Sequence, residues 1–199
     1  DTCHEVHMLR CASSDRLLGF QLWRFDEGEC AVWGGKLRFT PELRGQGLHL
    51  LLNLVAFESV RAANPTAAAW YRIGLVNLLG FQALRPALVS CATPPLREGG
   101  VVPPRLAEAL RPFCEDNNFV MDPVTGRVDV GQTLRRAPEE FSDAFWQKPE
   151  VREFCEAGVE RPLSRAEALD RRNDVFILWP WNAANEASVT ARLVQKLGS

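Results

Sequence analysis

Apolar and polar positions alternate in three short stretches near the start of the chain, and each reads as a strand. Residues 5–11 (EVHMLRC) and 19–25 (GFQLWRF) flank the turn-rich Ser13-Ser-Asp-Arg16, the pattern of an antiparallel hairpin. Asp26-Glu-Gly-Glu29 is a second polar turn, and a third strand follows from Cys30 to Phe39. Period 2 places Ala31, Trp33, Gly35, Leu37 and Phe39 on one face and Lys36 and Arg38 on the other. Gly34-Gly35 weakens this strand unless its backbone bulges or lies close to another group. The spacing then changes. Thr40-Pro41-Glu42-Leu43 leaves the strand and Arg44-Gly45-Gln46-Gly47 makes a tight turn. Leu48, Leu51, Leu52 and Val55 recur at helical spacing, with Leu50, Leu54 and Phe57 widening the stripe. A helix over residues 48–63 is predicted, stopped by Asn64-Pro65.

Farther on, residues 67–73 are apolar enough for a buried strand, 74–80 form a short connection, and 87–91 are a further strand candidate. Residues 93–104 (TPPLREGGVVPP) are dense in Pro and Gly and read as a linker between an N-terminal domain, 1–92, and a C-terminal half, 105–199. That half is expected to hold a helix at 105–117, a turn-rich stretch at 122–131 and a polar helical stretch at 138–157. It ends in a strand, 175–179, a loop, 180–184, and an amphipathic helix, 185–197, carrying Val189, Leu193, Val194 and Leu197. Strand followed by helix thus occurs at 30–63 and again at 175–197, a faint sign of a second, degenerate copy.

Composition narrows the function classes. With 46% hydrophobic and 24% charged residues the chain has enough apolar material for a globular core. No run approaches the roughly 18–20 apolar residues that cross a bilayer, and no secretory pattern opens the chain. A net charge of -2 lacks the basic footprint of a nucleic-acid binder. A small polyanion is still admissible, because backbone amides hold phosphate without an excess of Lys and Arg. The cysteines, Cys3, Cys11, Cys30, Cys91, Cys114 and Cys155, form no CxxC pair and read as reduced thiols of a cytoplasmic protein. His4 and His7 with Cys3 and Cys11 are irregularly spaced on a strand, which favours a structural or surface role over a metal site. The tryptophans read as packing residues, with Trp33 the one nearest the strand of interest.

The stretch with chemical content is Lys36-Leu-Arg-Phe-Thr-Pro-Glu-Leu-Arg-Gly-Gln-Gly-Leu48. A glycine-rich turn feeding a helix aims unpaired N–H groups at one point, at the positive end of the helix dipole. Gly45 and Gly47 permit unusual dihedrals and close approach, and Arg44 can add a bidentate phosphate contact. Neither G-K-[ST] nor G-x-G-x-x-G is present, so a Walker A loop and a dinucleotide fingerprint are excluded. The competing reading is an ordinary strand-to-helix connection with Gly for geometry alone.

These residues resemble the signature of the GCN5-related N-acetyltransferase (GNAT) superfamily, over about residues 5–91. Within it, the pattern Asp26-x-Gly28-Glu29, Gly35-x-Leu37-Arg38, Pro41-x-x-Arg44-Gly45-x-Gly47 and an added C-terminal half is most similar to histidine N-acetyltransferase-like proteins. The resemblance implies an α+β fold, a mixed and mostly antiparallel sheet flanked by helices with a degenerate second half. It implies acetyl-CoA as co-substrate and a small amine as acceptor, an amino acid such as histidine among the candidates. The backbone of Leu37, Arg38 and Phe39 would pair with the pantetheine arm, and Arg44, Gly45, Gln46, Gly47, Leu48 and His49 would hold the diphosphate. The chain departs from the family in three ways. His49 stands where Gly or Ala is usual, and either crowds the diphosphate or tilts away. Val76 occupies the position of the family's acid, a Tyr before a Gly-Phe pair that here is Gly80-Phe81 and reads as the end of a helix. The segment 74–80 is also shorter than the family's. No general acid is assigned, Tyr71 being on the preceding strand; Glu5 and Glu29 read as solvated charge more readily than as bases. The chain opens on Asp1, without the family's first strand and helices, and reads as a fragment. A non-catalytic relative that binds coenzyme A, or a purely structural domain, remains the alternative function.

Overall fold

The computed structural model describes residues 5–26, 30–63, 70–93, 106, 108–131 and 136–198. In chain order the strands are β1 (Glu5–Arg10), β2 (Leu17–Asp26), β3 (Ala31–Phe39), β4 (Trp70–Val76), β5 (Val120–Met121), β6 (Val128–Asp129) and β7 (Val175–Trp181). The α-helices among the described residues are α1 (Leu48–Ala63), α2 (Leu78–Leu84), α3 (Leu110–Asp116), α4 (Asp143–Trp146), α5 (Pro149–Glu156), α6 (Arg165–Leu169) and α7 (Ala183–Leu197). The main sheet has the order β1-β2-β3-β4-β7, and β5 pairs with β6 in a small second sheet. β1 and β3 are each antiparallel to β2, whereas β3 and β4 run parallel. The protein is a mixed α+β fold with a mostly antiparallel sheet.

Two compact units divide the chain discontinuously. The first comprises residues 1–74, 87–90 and 180–199, and the second 75–86 and 91–179. The expected division was contiguous instead, at a linker of which residues 94–104 lie outside the described residues.

In the first unit, α1 lies on the face of β2 that carries Trp23, and Trp23, Val32, Leu52, Ala56, Phe57, Val60 and Trp70 form its core. Trp181 stacks on Phe57 with ring centroids 3.8 Å apart. Burying each large apolar side chain of this set contributes roughly 1.5–3 kcal/mol. The buried face of α1 is Leu50, Leu52, Asn53, Ala56, Phe57 and Val60 rather than the expected stripe Leu48, Leu51, Leu52 and Val55, of which Val55 is exposed. The expected disturbance at Gly34-Gly35 is present. Gln21 pairs with Leu37 but Trp23 pairs with Gly34, so β3 carries one extra residue there. The Arg72 guanidinium occupies the space a Cβ on Gly34 would need. The close approach is at Gly34 and the extra residue lies next to it, in Gly35-Lys36.

In the second unit α2 packs on α5, with Phe81 and Phe154 edge to face and Arg85 bonded to Glu153 at 2.8 Å. Arg127, buried, donates to the carbonyls of Asn173 and Phe154. Burial raises the carboxyl pKa of Asp174 to about 6, against the pull of the bonded Arg171.

Several expectations are corrected. Residues 87–91 are not a strand: Arg85–Ala87 form a 3-10 turn, and the Val89 and Ser90 amides are taken by the Asn185 side chain at 2.9 and 3.1 Å. Gly80-Phe81 does not end a helix but lies inside α2, whose start is fixed by Asn77 accepting from the Gly80 N–H. The stretch 138–157 is no continuous helix, because Ser142 caps α4 and Pro149 restarts the chain as α5. The strand expected at 67–73 is observed at 70–76, residues 67–69 being outside the described set. Strands β5 and β6 were not expected; they flank a turn in which Asp122 accepts from the Val124 and Thr125 amides.

Candidate functional site

β3 ends at Phe39, and the chain turns into α1 through a short 3-10 turn, Pro41–Leu43, that begins on Pro. Proline fits there because a first helical residue needs no N–H. The Leu43 and Arg44 amides close this turn on the carbonyls of Thr40 and Pro41 at 3.1 and 3.2 Å. Gln46 staples it by donating from Nε2 to the Glu42 carbonyl at 2.9 Å. Gly45 and Gly47 then take φ values of 81° and 77°, the left-handed region that favours glycine. The consequence is electrostatic. Among the described residues, the N–H groups of Gly45, Gln46, Gly47 and Leu48 have no hydrogen-bond acceptor, and the first carbonyl of the turn to be used is that of Gly47, by the Leu50 N–H at 2.8 Å. Four successive amides therefore stand unsatisfied at the positive end of a 16-residue helix.

The charged groups around the turn are exposed. The Arg44 guanidinium makes no bond to any described group. Glu42 is spent locally: its own backbone N–H, and Arg16 at 3.0 Å, hold its carboxyl below the usual range. His49, the second residue of α1, is half-buried with its Nε2 shielded from solvent, so the ring tip turns inward.

Among the described residues, no strand pairs with the far side of β3 beyond Gly34. The β3–β4 ladder runs from Ala31–Tyr71 to Gly34–Gly74, and β4 has only Leu75 and Val76 left beyond it. β4 thus stops short of the level of Leu37. The Thr40 N–H bonds to the Leu18 carbonyl at 2.9 Å, which fixes the alternation along β3. Arg38 directs its backbone groups toward β2, while Leu37 and Phe39 direct theirs away from it. The Leu37 carbonyl is covered by the Arg38 side chain, which donates to it at 2.8 Å. Leu37, Arg38 and Phe39 therefore present a strand edge that runs directly into the turn Arg44–His49.

Sequence reasoning missed the support of this arrangement. Arg72, buried on β4, donates from Nε to Asn53 Oδ1 at 3.0 Å and also bonds the Ile73 carbonyl. Asn53 in turn donates to the His49 carbonyl at 2.7 Å, in the first turns of α1. The guanidinium lies 4.8 Å from the centre of the Trp23 ring. Burial lowers the Arg72 pKa to about 9, which leaves it charged at neutral pH. The signal was a polar Asn within the apolar stripe LHLLLNLVAF and an Arg within the strand WYRIGLV. Lys196 of α7 was missed too: its Cβ and Cγ would lie 3.0 and 3.2 Å from a Cβ built on Gly47. No local pattern announces that contact.

Other candidates are placed elsewhere. Glu5 bonds to His7 Nε2 at 2.8 Å and to Ser59 of α1 at 3.3 Å, a packing role. Tyr71 stands level with Ala31, at the opposite end of the ladder from Gly34. Val76 is the half-buried last residue of β4. Cys3, His4 and Glu29 lie outside the described residues, and among those described no three His, Cys, Asp or Glu side chains gather as a metal site. Among the described residues no helix is long and apolar enough to cross a membrane. Comparison with protein families, with curated proteins and with solved structures finds no match to this chain.

Proposed function

We propose that this chain binds coenzyme A through Leu37–His49 and acts as a GNAT-like N-acetyltransferase, moving an acetyl group from acetyl-CoA to a small amine, an amino acid such as histidine among the candidates. The observation that carries the proposal is the continuity of two groups of backbone: a strand edge at Leu37–Phe39 that pairs with no further strand among the described residues, leading into four amides at Gly45–Leu48 that have no acceptor among them. An extended thiol arm pairs with the first as an added strand, and the diphosphate at its end meets the second. Arg44 adds a charge-assisted contact.

In this reading the acceptor nitrogen, deprotonated, attacks the thioester carbonyl. A C–N bond forms, the C–S bond breaks, and the departing thiolate takes up a proton. Holding both reactants in one geometry supplies much of the acceleration, and a strand amide directed at the carbonyl oxygen stabilises its developing charge. Val76 favours a second reading, a protein that binds the coenzyme without turnover, because an apolar side chain stands at the family's acid position.

Isothermal titration with acetyl-CoA separates the alternatives. Binding together with thiol release in the presence of free amino acids supports the enzyme. Binding without thiol release supports the second reading. Absence of binding removes both.

A further inference from the structure

We infer that the outward face of helices α1 and α7 is the contact surface of a homodimer, in which two copies of this chain meet about a two-fold axis that crosses both helices. The inference stands apart from the coenzyme-binding reading.

α1 is apolar on both sides. Leu50, Leu52, Asn53, Ala56, Phe57 and Val60 are its buried residues. At about 100° of turn per residue, Leu48, Leu51 and Val55 fall on the opposite side. There Leu48, Leu51 and the flanking Leu54 are half-buried, and Val55 is 45% exposed. A helix that is apolar all round is normally covered all round. α7 repeats the pattern in the same compact unit. Its Asn185, Val189 and Leu193 are buried, while Val194 and Leu197, on the other side, are 65% and 58% exposed.

The two faces adjoin. Arg61, near the end of α1, bonds to Glu186 in the first turn of α7 at 2.8 Å. Gly47, just before α1, lies against the stem of Lys196 in the last turn of α7, so the helices run antiparallel. These contacts bracket Leu51, Leu54 and Val55 on one helix and Val194 on the other. The result is an apolar patch on the order of 400 Å², a size that is commonly functional.

Area and charge both select a second copy as the occupant. Two such patches face to face remove roughly 800 Å² of apolar surface, and at the apolar share of homodimer contacts, about 65%, the whole interface is roughly 1,200 Å². That reaches the lower end of stable, specific interfaces. The ends of the helix pair also differ in charge. Arg44 and Arg192 lie toward the Gly47 end, where the Arg44 side chain bonds to no described group and Arg192 bonds to the neutral Gln195. At the far end Glu58 and Glu186 share one cation, Arg61, at 3.4 and 2.8 Å. A two-fold axis across the helices lays the basic end of each copy on the acidic end of the other, as an isologous contact requires.

Sedimentation velocity over a range of concentrations tests the inference. The parent should pass from one chain to two, with its midpoint on the order of 10 µM for an interface of this size. Val55→Lys and Val194→Lys should each weaken dimerisation at least about 10-fold, and Glu58→Arg about 3-fold. Val124→Lys, at an exposed apolar residue of the other unit, should leave it unchanged. At about 1 µM, where the parent is a monomer, all four should melt within a few degrees of it. A parent that stays monomeric at about 200 µM would overturn the inference, and its sedimenting with anionic lipid vesicles would assign the face to a membrane surface instead. A dimer that survives both valine variants would overturn it too, by placing the contact elsewhere. Coenzyme A titration of the same variants reads the other proposal separately.

Discussion

The chain leaves a strand for a helix after β3 and again after β7, and the two junctions treat the first amides of the helix in opposite ways. After β7, the Asn182 side chain accepts from the Asn185 N–H at 2.9 Å, and the Asn182 carbonyl takes the Glu186 N–H at 2.9 Å. Asn185 is itself buried and donates back to the Pro180 carbonyl at 2.8 Å. The junction after β4 is closed in the same manner by Asn77 and Gly80. After β3 the residue before the helix is Gly47, which has no side chain to cap anything, and the amides from Gly45 to Leu48 remain open. An Asn cap stabilises a helix by about 1 kcal/mol. The first junction forgoes that stabilisation and takes two left-handed glycines instead. Such a trade makes physical sense where a ligand completes the cap.

The difference can be broken by mutation. The largest effect is expected from Arg44→Glu, which sets a negative charge beside the open amides: coenzyme A affinity should fall about 100-fold in titration, with the melting temperature little changed because the Arg44 side chain bonds to no described group. Gly47→Ala comes next. Its left-handed φ costs roughly 1–2 kcal/mol, and the Lys196 stem must also give way, so both stability and affinity should drop. Gly45→Ala shares the strain but meets open space, and should destabilise less than Gly47→Ala in the same melt. At the closed junction, Asn182→Ala should cost about 1 kcal/mol in chemical denaturation and leave coenzyme A affinity untouched. A change in affinity there would erase the distinction between the two junctions.

How far the sequence revealed these junctions follows from range. Strand, turn and helix between Cys30 and Ala63 were legible because period 2, two glycines and period 3.6 are local signals, and α1 is observed over the residues expected. The bulge at Gly34-Gly35 was legible as a possibility, but its reason, the Arg72 guanidinium against Gly34, depends on a partner in another strand. Residues 87–91 were misread for the same cause: their apolar run suits a strand, yet Asn185, remote in sequence, takes their amides. The helical stretch expected at 138–157 is divided by the cap at Ser142 and by Pro149, which start two separate short helices. Lys196 follows the same rule, since helix pairing alone brings it to Gly47.

Amide chemical shifts measured by NMR during titration with coenzyme A test the central claim most directly. If Gly45–Leu48 grip a diphosphate, their N–H signals shift progressively, pantetheine alone fails to move them, and those of Asn182–Glu186 stay in place. Unmoved Gly45–Leu48 signals at saturating coenzyme A, or identical shifts with pantetheine, would contradict the account.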